Sequence, residues 1–338
     1  MKLQTSFKYI LKIISLFIIS TYSFKVGADY TEKKCRKSFQ SLFSDKVINI
    51  DIFIGYLDME SNNKKTLDKQ LESRIEKLIT SSCINSPYNQ LCDFIQIDND
   101  NNENKKTFLK DYISLNNKEH QLKIRLFSSS HTNKNLDNYG ENYKKQLKKT
   151  KGVEDAFIKS LQNSHEMIFY IGHRRFGAAP SFRKESALSL LKGNHGEKLI
   201  EKGLEMNNKD PKIFGMASCE SYEYFASKLN KLMPGTALLL THQQVTFLDS
   251  MNIVLTSIDS LLDMSCSKKF HNELNTSIKY LYLHEPLVSN NSIDNVKYPK
   301  LYGFFEEHKE YNQPRRVEAL MKRSIFEKIK IKNPLYKN

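Results

Sequence analysis

Two familiar catalytic and phosphate-binding signatures are missing from this chain. There is no GxSxG elbow and no Walker phosphate loop, so a serine nucleophile on an elbow and a P-loop nucleotide site are both excluded as motifs. Metal chemistry finds no support either: His165, His195, His271, His284 and His308 show no metal-ligand spacing. The polar run Asp98–Lys106 begins DxDxN like a calcium loop, but Glu103 stands where that loop needs glycine and Leu109 occupies its twelfth position. Gly193-Asn194-His195-Gly196 reads as a loop too short to cradle a phosphate. No metal and no cofactor is expected. Internal repeats and long linkers are absent. After residue 28, no run approaches the roughly 20 apolar residues that a spanning helix requires.

Residues 1–28 lack acidic side chains altogether. They carry Lys2, Lys8, Lys12 and Lys25, an apolar stretch from Ile13 to Phe24, and then Val26-Gly27-Ala28, with small residues at the −3 and −1 positions of a cleavage site. This pattern is that of a secretory signal peptide, with the mature chain starting at Asp29 in the periplasm or outside the cell. Left uncleaved, the same segment would stay as an N-terminal anchor. No cysteine follows it, which argues against lipid attachment. Loss of the four lysines takes the net charge from +14 to +10. For an exported chain this excess suits an anionic envelope component better than nucleic acid, and no nucleic-acid partner is expected. The simpler alternative, which we favour, is that lysines of an Asn/Lys/Ile-rich chain are solvated and bind nothing in particular.

Export makes the five cysteines informative. Cys83 and Cys92 flank a short loop, INSPYNQL, and are expected to form a local disulfide. Cys35 with Cys266 follows only by elimination, which leaves Cys219 free.

Apolar periodicity gives a strand over Val47–Leu57, an amphipathic helix over 66–80 and a short strand over Cys92–Ile97. Phe108–Leu115 and Gln121–Phe127 read as two strands around the loop Asn116–His120. A polar loop, Ser128–Gly140, leads to helical stretches within 141–162. Strands Glu166–Gly172, Lys212–Ser218 and Thr236–Leu240 then alternate with helices near 197–207, from Tyr222 to Leu232, and over 247–263. Ile278–Leu283 is expected as strand and Arg315–Lys330 as helix. Near-continuous apolar strands between helices imply an α/β fold, a largely parallel sheet covered by helices on both faces. Residues 29–338 are expected to form a single domain with a core at about 45–265 and a mixed extension at 266–338.

In an open parallel sheet, ligands bind beyond the carboxyl ends of the strands. Three strand ends deliver reactive side chains there: His173 after MIFYIG, Cys219 after KIFGMAS, and His242 after TALLLT. Cys219 sits where a strand gives way to a helix, a position that favours a thiolate. Ala217 and Ser218 leave room for a substrate carbonyl, and the backbone N–H groups of that turn could bind an oxyanion. The opposing reading makes Cys219 a small buried filler or the partner of Cys266.

An apolar strand ending in His173, followed 46 residues later by one ending in Cys219, resembles the caspase-like cysteine peptidases, the group of caspases, legumains, gingipains, clostripain and separase. The resemblance rests on the blocks MIFYIGH and KIFGMASC and covers the element pattern of residues 45–265. It implies a three-layer caspase-like sandwich, Cys219 as nucleophile, His173 as proton donor to the leaving group, and a polypeptide substrate. The family has glycine after its histidine, whereas this chain has Arg174. The stretch Gly172-His173-Arg174-Arg175 looks more like a bacterial branch with its own GHxR signature. Arg174 and Arg175 could hold an acidic substrate group or simply be a solvated basic turn. The rival to a hydrolase is a non-catalytic envelope protein that uses this basic edge to hold an acidic ligand.

Overall fold

The computed structural model describes residues 35–57, 67–97, 104–114, 117–128, 141–163, 165–173, 179–182, 195–205, 210–242, 245–284 and 300–302. Residues 1–28, the run 98–103, the loop 129–140, Arg174, Arg175 and the helix expected at Arg315–Lys330 lie outside them. Residues 1–44 and 45–338 form two compact units. In the first, a helix covers 35–42, and the Phe39 and Phe43 rings stack 6.3 Å apart.

The second unit is an α/β sandwich around one open sheet. Its strands are β1 (Val47–Ile54), β2 (Ile95–Ile97), β3 (Lys105–Ile113), β4 (Glu119–Ser128), β5 (Met167–Ile171), β6 (Ile213–Ala217), β7 (Ala237–Leu240) and β8 (Lys300–Tyr302). They lie in the order β2-β3-β4-β1-β5-β6-β7-β8. The five central strands, β4 to β7 in that order, are parallel; β3 and β8 run antiparallel to them, and β2, antiparallel to β3, shares their direction. Every residue of β5, β6 and β7 is buried, which explains why their sequences show no polar alternation.

The helices are α1 (Leu67–Thr80), α2 (Glu141–Gln162), α3 (His195–Leu204), α4 (Ser221–Leu232), α5 (Phe247–Leu262) and α6 (Ser267–His284). One face of the sheet packs on α2, α3 and α4 through Phe157, Leu161, Ile200, Phe225 and Leu229. There Phe53 stacks on Phe127 at 4.5 Å and meets the edge of Phe157 at 5.2 Å. On the other face, α1 packs on β1 and β4, and α5 packs on β5 and β6. Gly196, expected in a loop, lies in the first turn of α3, so tight against Ala179-Pro180 that a Cβ there would collide with their backbone.

Ile278–Leu283 is not a strand: it forms the last turns of α6. Phe270 and Leu274, four residues apart and fully buried, set a helical period ahead of that stretch. The expected disulfide is present, Cys83–Cys92 with Cα atoms 5.0 Å apart. Cys35 and Cys266 each take part in a disulfide, and Cys219 is the free thiol. Among the described residues, no helix is long and apolar enough to cross a membrane.

A buried charge cluster joins the lower halves of the central strands. Asp51 in β1 has no exposed surface and accepts Arg125 Nε and Nη2, both at 2.7 Å, together with His165 Nδ1 at 2.9 Å. Burial alone would raise the Asp51 carboxyl, yet the His165 hydrogen bond and the Arg125 charge hold it below the ordinary carboxylate value.

Candidate functional site

Counted as parallel strands alone, the sheet reverses its winding between β1 and β5, where ligand crevices form beyond the carboxyl ends. The strand ends there are organised by Tyr170. Its hydroxyl donates toward Ser181 O at 3.1 Å and His173 O at 3.3 Å, and accepts the Ser181 N–H at 3.1 Å. Ser181 O in turn accepts the Tyr56 N–H at 2.9 Å, and Ile171 O accepts the Gly55 N–H at 2.8 Å. The Tyr170 ring lies so close to Gly55 and Gly172 that a Cβ at either would run into it. Gly172 is therefore glycine because Tyr170 needs its space.

His173 and Cys219 occupy equivalent places on adjacent strands. Ile171 of β5 pairs with Ala217 of β6, and each reactive residue lies two positions farther on. Both meet the start of α5. The His173 ring packs edge-on against Phe247 with centroids 4.8 Å apart, and Cys219 Sγ donates to Val245 O at 3.4 Å. Between those two contacts, Thr246 caps α5 in a reciprocal box with Asp249: Asp249 N–H to Thr246 Oγ1 at 3.2 Å, and Thr246 N–H to Asp249 Oδ2 at 2.8 Å.

The turn carrying Cys219 is sharp and held from one side. Glu220, the next residue, adopts the left-handed conformation (φ 49°, ψ 35°) and precedes α4 without a side-chain cap. For a non-glycine residue this costs on the order of 1 kcal/mol, so the surroundings must impose it. Hydroxyl groups do so. Ser221 Oγ donates to Met216 O at 2.6 Å and accepts the Thr241 N–H at 2.9 Å, while Thr241 Oγ1 donates to Ser218 O. The Tyr222 N–H closes the staple on Thr241 O at 3.0 Å. Beside the thiol, Ser218 Oγ is fully buried without a hydrogen-bond partner among the described residues.

His242, the third strand-end residue, packs its ring on Tyr222 at 4.2 Å and stands 3.7 Å from the Glu223 carboxylate, both on α4. The contacts thus bring His173 and Cys219 to α5 and His242 to α4. Cys83, Cys92 and Asp93 have potential metal-ligand atoms within 4.8 Å of one another, but the disulfide engages both sulfurs.

Sequence reasoning missed Tyr170, Ser221, Thr241 and Phe247. Tyr170 carried a signal, because a phenol within an otherwise apolar buried strand needs a partner for its hydroxyl. Ser221 and Thr241 look like ordinary helix-start and strand-end residues until β7 is placed beside β6. The chain matches no model of a known protein family, and no curated protein sequence matches it.

Proposed function

We propose that this protein is an exported cysteine-dependent hydrolase of caspase-like type, acting on polypeptides through Cys219 and His173. The observation that carries the reading is the equal offset of the two residues on adjacent parallel strands, with both side chains meeting residues 245–247. The left-handed residue directly after the thiol supports it, since strain of this kind clusters at functional turns. The two disulfide-bonded cysteine pairs support export.

The chemistry would run as follows. The Cys219 thiolate attacks the acyl carbon of a peptide bond, and the Cys219 N–H would donate to the developing oxyanion, since the Ser218 and Ser221 N–H groups donate to Met216 O and Ser218 O. The tetrahedral species collapses as the C–N bond breaks. His173 protonates the leaving amine, leaving a thioester on Cys219 that water hydrolyses to the free acid and thiol.

Turnover of a mixed peptide library by wild type and Cys219→Ala tests this. Cleavage should vanish in the variant, while stability falls little because one small side chain is removed. His173→Ala should depress amide turnover far more than turnover of activated esters, whose leaving groups need no proton. Indistinguishable cleavage by wild type and Cys219→Ala would overturn the reading and favour a binding protein built on the basic edge at Arg174 and Arg175.

A further inference from the structure

The disulfide at the far side of the sheet has surroundings unlike those of an inert structural staple. Lys110, on β3, places Nζ 3.9 Å from Cys83 Sγ and 4.0 Å from Cys92 Sγ. Among the described residues it donates to Gln90 O at 2.8 Å and lies 5.7 Å from the centre of the Phe94 ring. No carboxylate lies within ion-pair distance of Lys110 among the described residues. The ammonium is half-buried, and that burial pulls its pKa down against the more distant charges of Asp93 and Asp259. A cation in this setting gains from any anion formed beside it.

From these contacts we infer that Cys83–Cys92 is a redox-active disulfide that exchanges with small thiols, Cys83 being the sulfur attacked and Lys110 stabilising the thiolate released. The exposures assign the two roles. Cys92 has no exposed surface, whereas Cys83 is partly exposed in a loop whose next residue, Ile84, is 93% exposed. A reductant thiolate attacks Cys83 Sγ, the S–S bond breaks, and its electron pair stays on Cys92 Sγ beside Lys110. A second thiol then attacks the reductant's sulfur in the mixed disulfide. That step releases the oxidised reductant and leaves Cys83 as a thiolate that takes a proton from water. Two electrons pass from two thiols to the protein.

The loop does not depend on the bond for its place. Asp259 on α5 accepts the N–H groups of Asn89 at 3.2 Å, Gln90 at 2.7 Å and Leu91 at 2.9 Å. Opening the disulfide therefore leaves the cysteines near each other, so the cycle is reversible. One group opposes the effect: the Asp93 carboxylate, which also lies within 4.8 Å of both sulfurs. Asp93 is exposed and screened by water, whereas Lys110 is half-buried, so the cation dominates. The inference is independent of the hydrolase reading.

The test equilibrates the mature chain with glutathione buffers of graded redox ratio and reads the opening of Cys83–Cys92 by maleimide labelling and peptide mapping. Lys110→Met should need about tenfold more reducing conditions, roughly 30 mV for this two-electron couple, and Lys110→Arg should behave as wild type. Asp93→Asn, whose left-handed backbone asparagine tolerates, should shift the midpoint the opposite way by about threefold. The two variants should move in opposite directions, and a Lys110→Met midpoint that coincides with wild type overturns the proposal.

Discussion

Asp51 shows how much a single buried charge depends on its partners. Its carboxylate is sealed between β1 and β4 and satisfied by Arg125 and His165. Arg125→Met would leave it buried and half-paired, which should lower unfolding free energy by about 3 kcal/mol in urea titrations at pH 7. The pH dependence has a definite sign. Asp51 titrates below its unfolded value of about 3.9, so its stabilisation is complete above that pH and drains away as pH falls through the lower folded value. Asp51→Asn should flatten that acid limb relative to wild type. None of this was legible in VINIDIFI, which reads as an apolar run, because Arg125 lies 74 residues away in sequence. That His173 and Cys219 each lie just past an apolar strand was legible, because that position is a local property.

Among the elements, α5 connects most of what matters. Its first turn touches His173, the residue before its cap receives the Cys219 thiol, and Asp259 in its last turn holds the disulfide loop. Thr246→Ala removes one half of the capping box and should cost about 1 kcal/mol, visible as a lowered Tm. If the cap also sets the site, peptide turnover should fall with it and return in Thr246→Ser, which keeps the hydroxyl. Local pattern located the strands and helices of the core to within a few residues, because each buries a face large enough to leave a period. It failed for Ile278–Leu283, where β-branched and aromatic residues suggested a strand inside a helix begun upstream. It also gave no sign of β8, a three-residue strand whose formation depends on β7 lying alongside.

At the scale of the whole molecule, the sheet has a protected centre and thin edges. Amides of β1, β5 and β6, hydrogen-bonded on both sides, should exchange slower than those of β2 and β8 by about two orders of magnitude in native-state hydrogen exchange followed by mass spectrometry. Equal protection across the sheet would contradict this picture. The fold class was readable from the alternation of elements, but the strand order was not, since it is fixed by pairings between distant segments. That order has a temporal consequence. β1 leads the sheet in the chain yet lies at its middle, and its two neighbours form from residues 119–128 and 167–171. Asn49 bonds to Glu166 across 117 residues of chain. At about 5–20 residues per second, a ribosome needs on the order of ten seconds to make that interval. Both edges of this eight-residue, β-branched strand are open until residues 119–128 are made, and one edge stays open until β5 follows, so for this chain, folding is a race between completing the sheet and self-association.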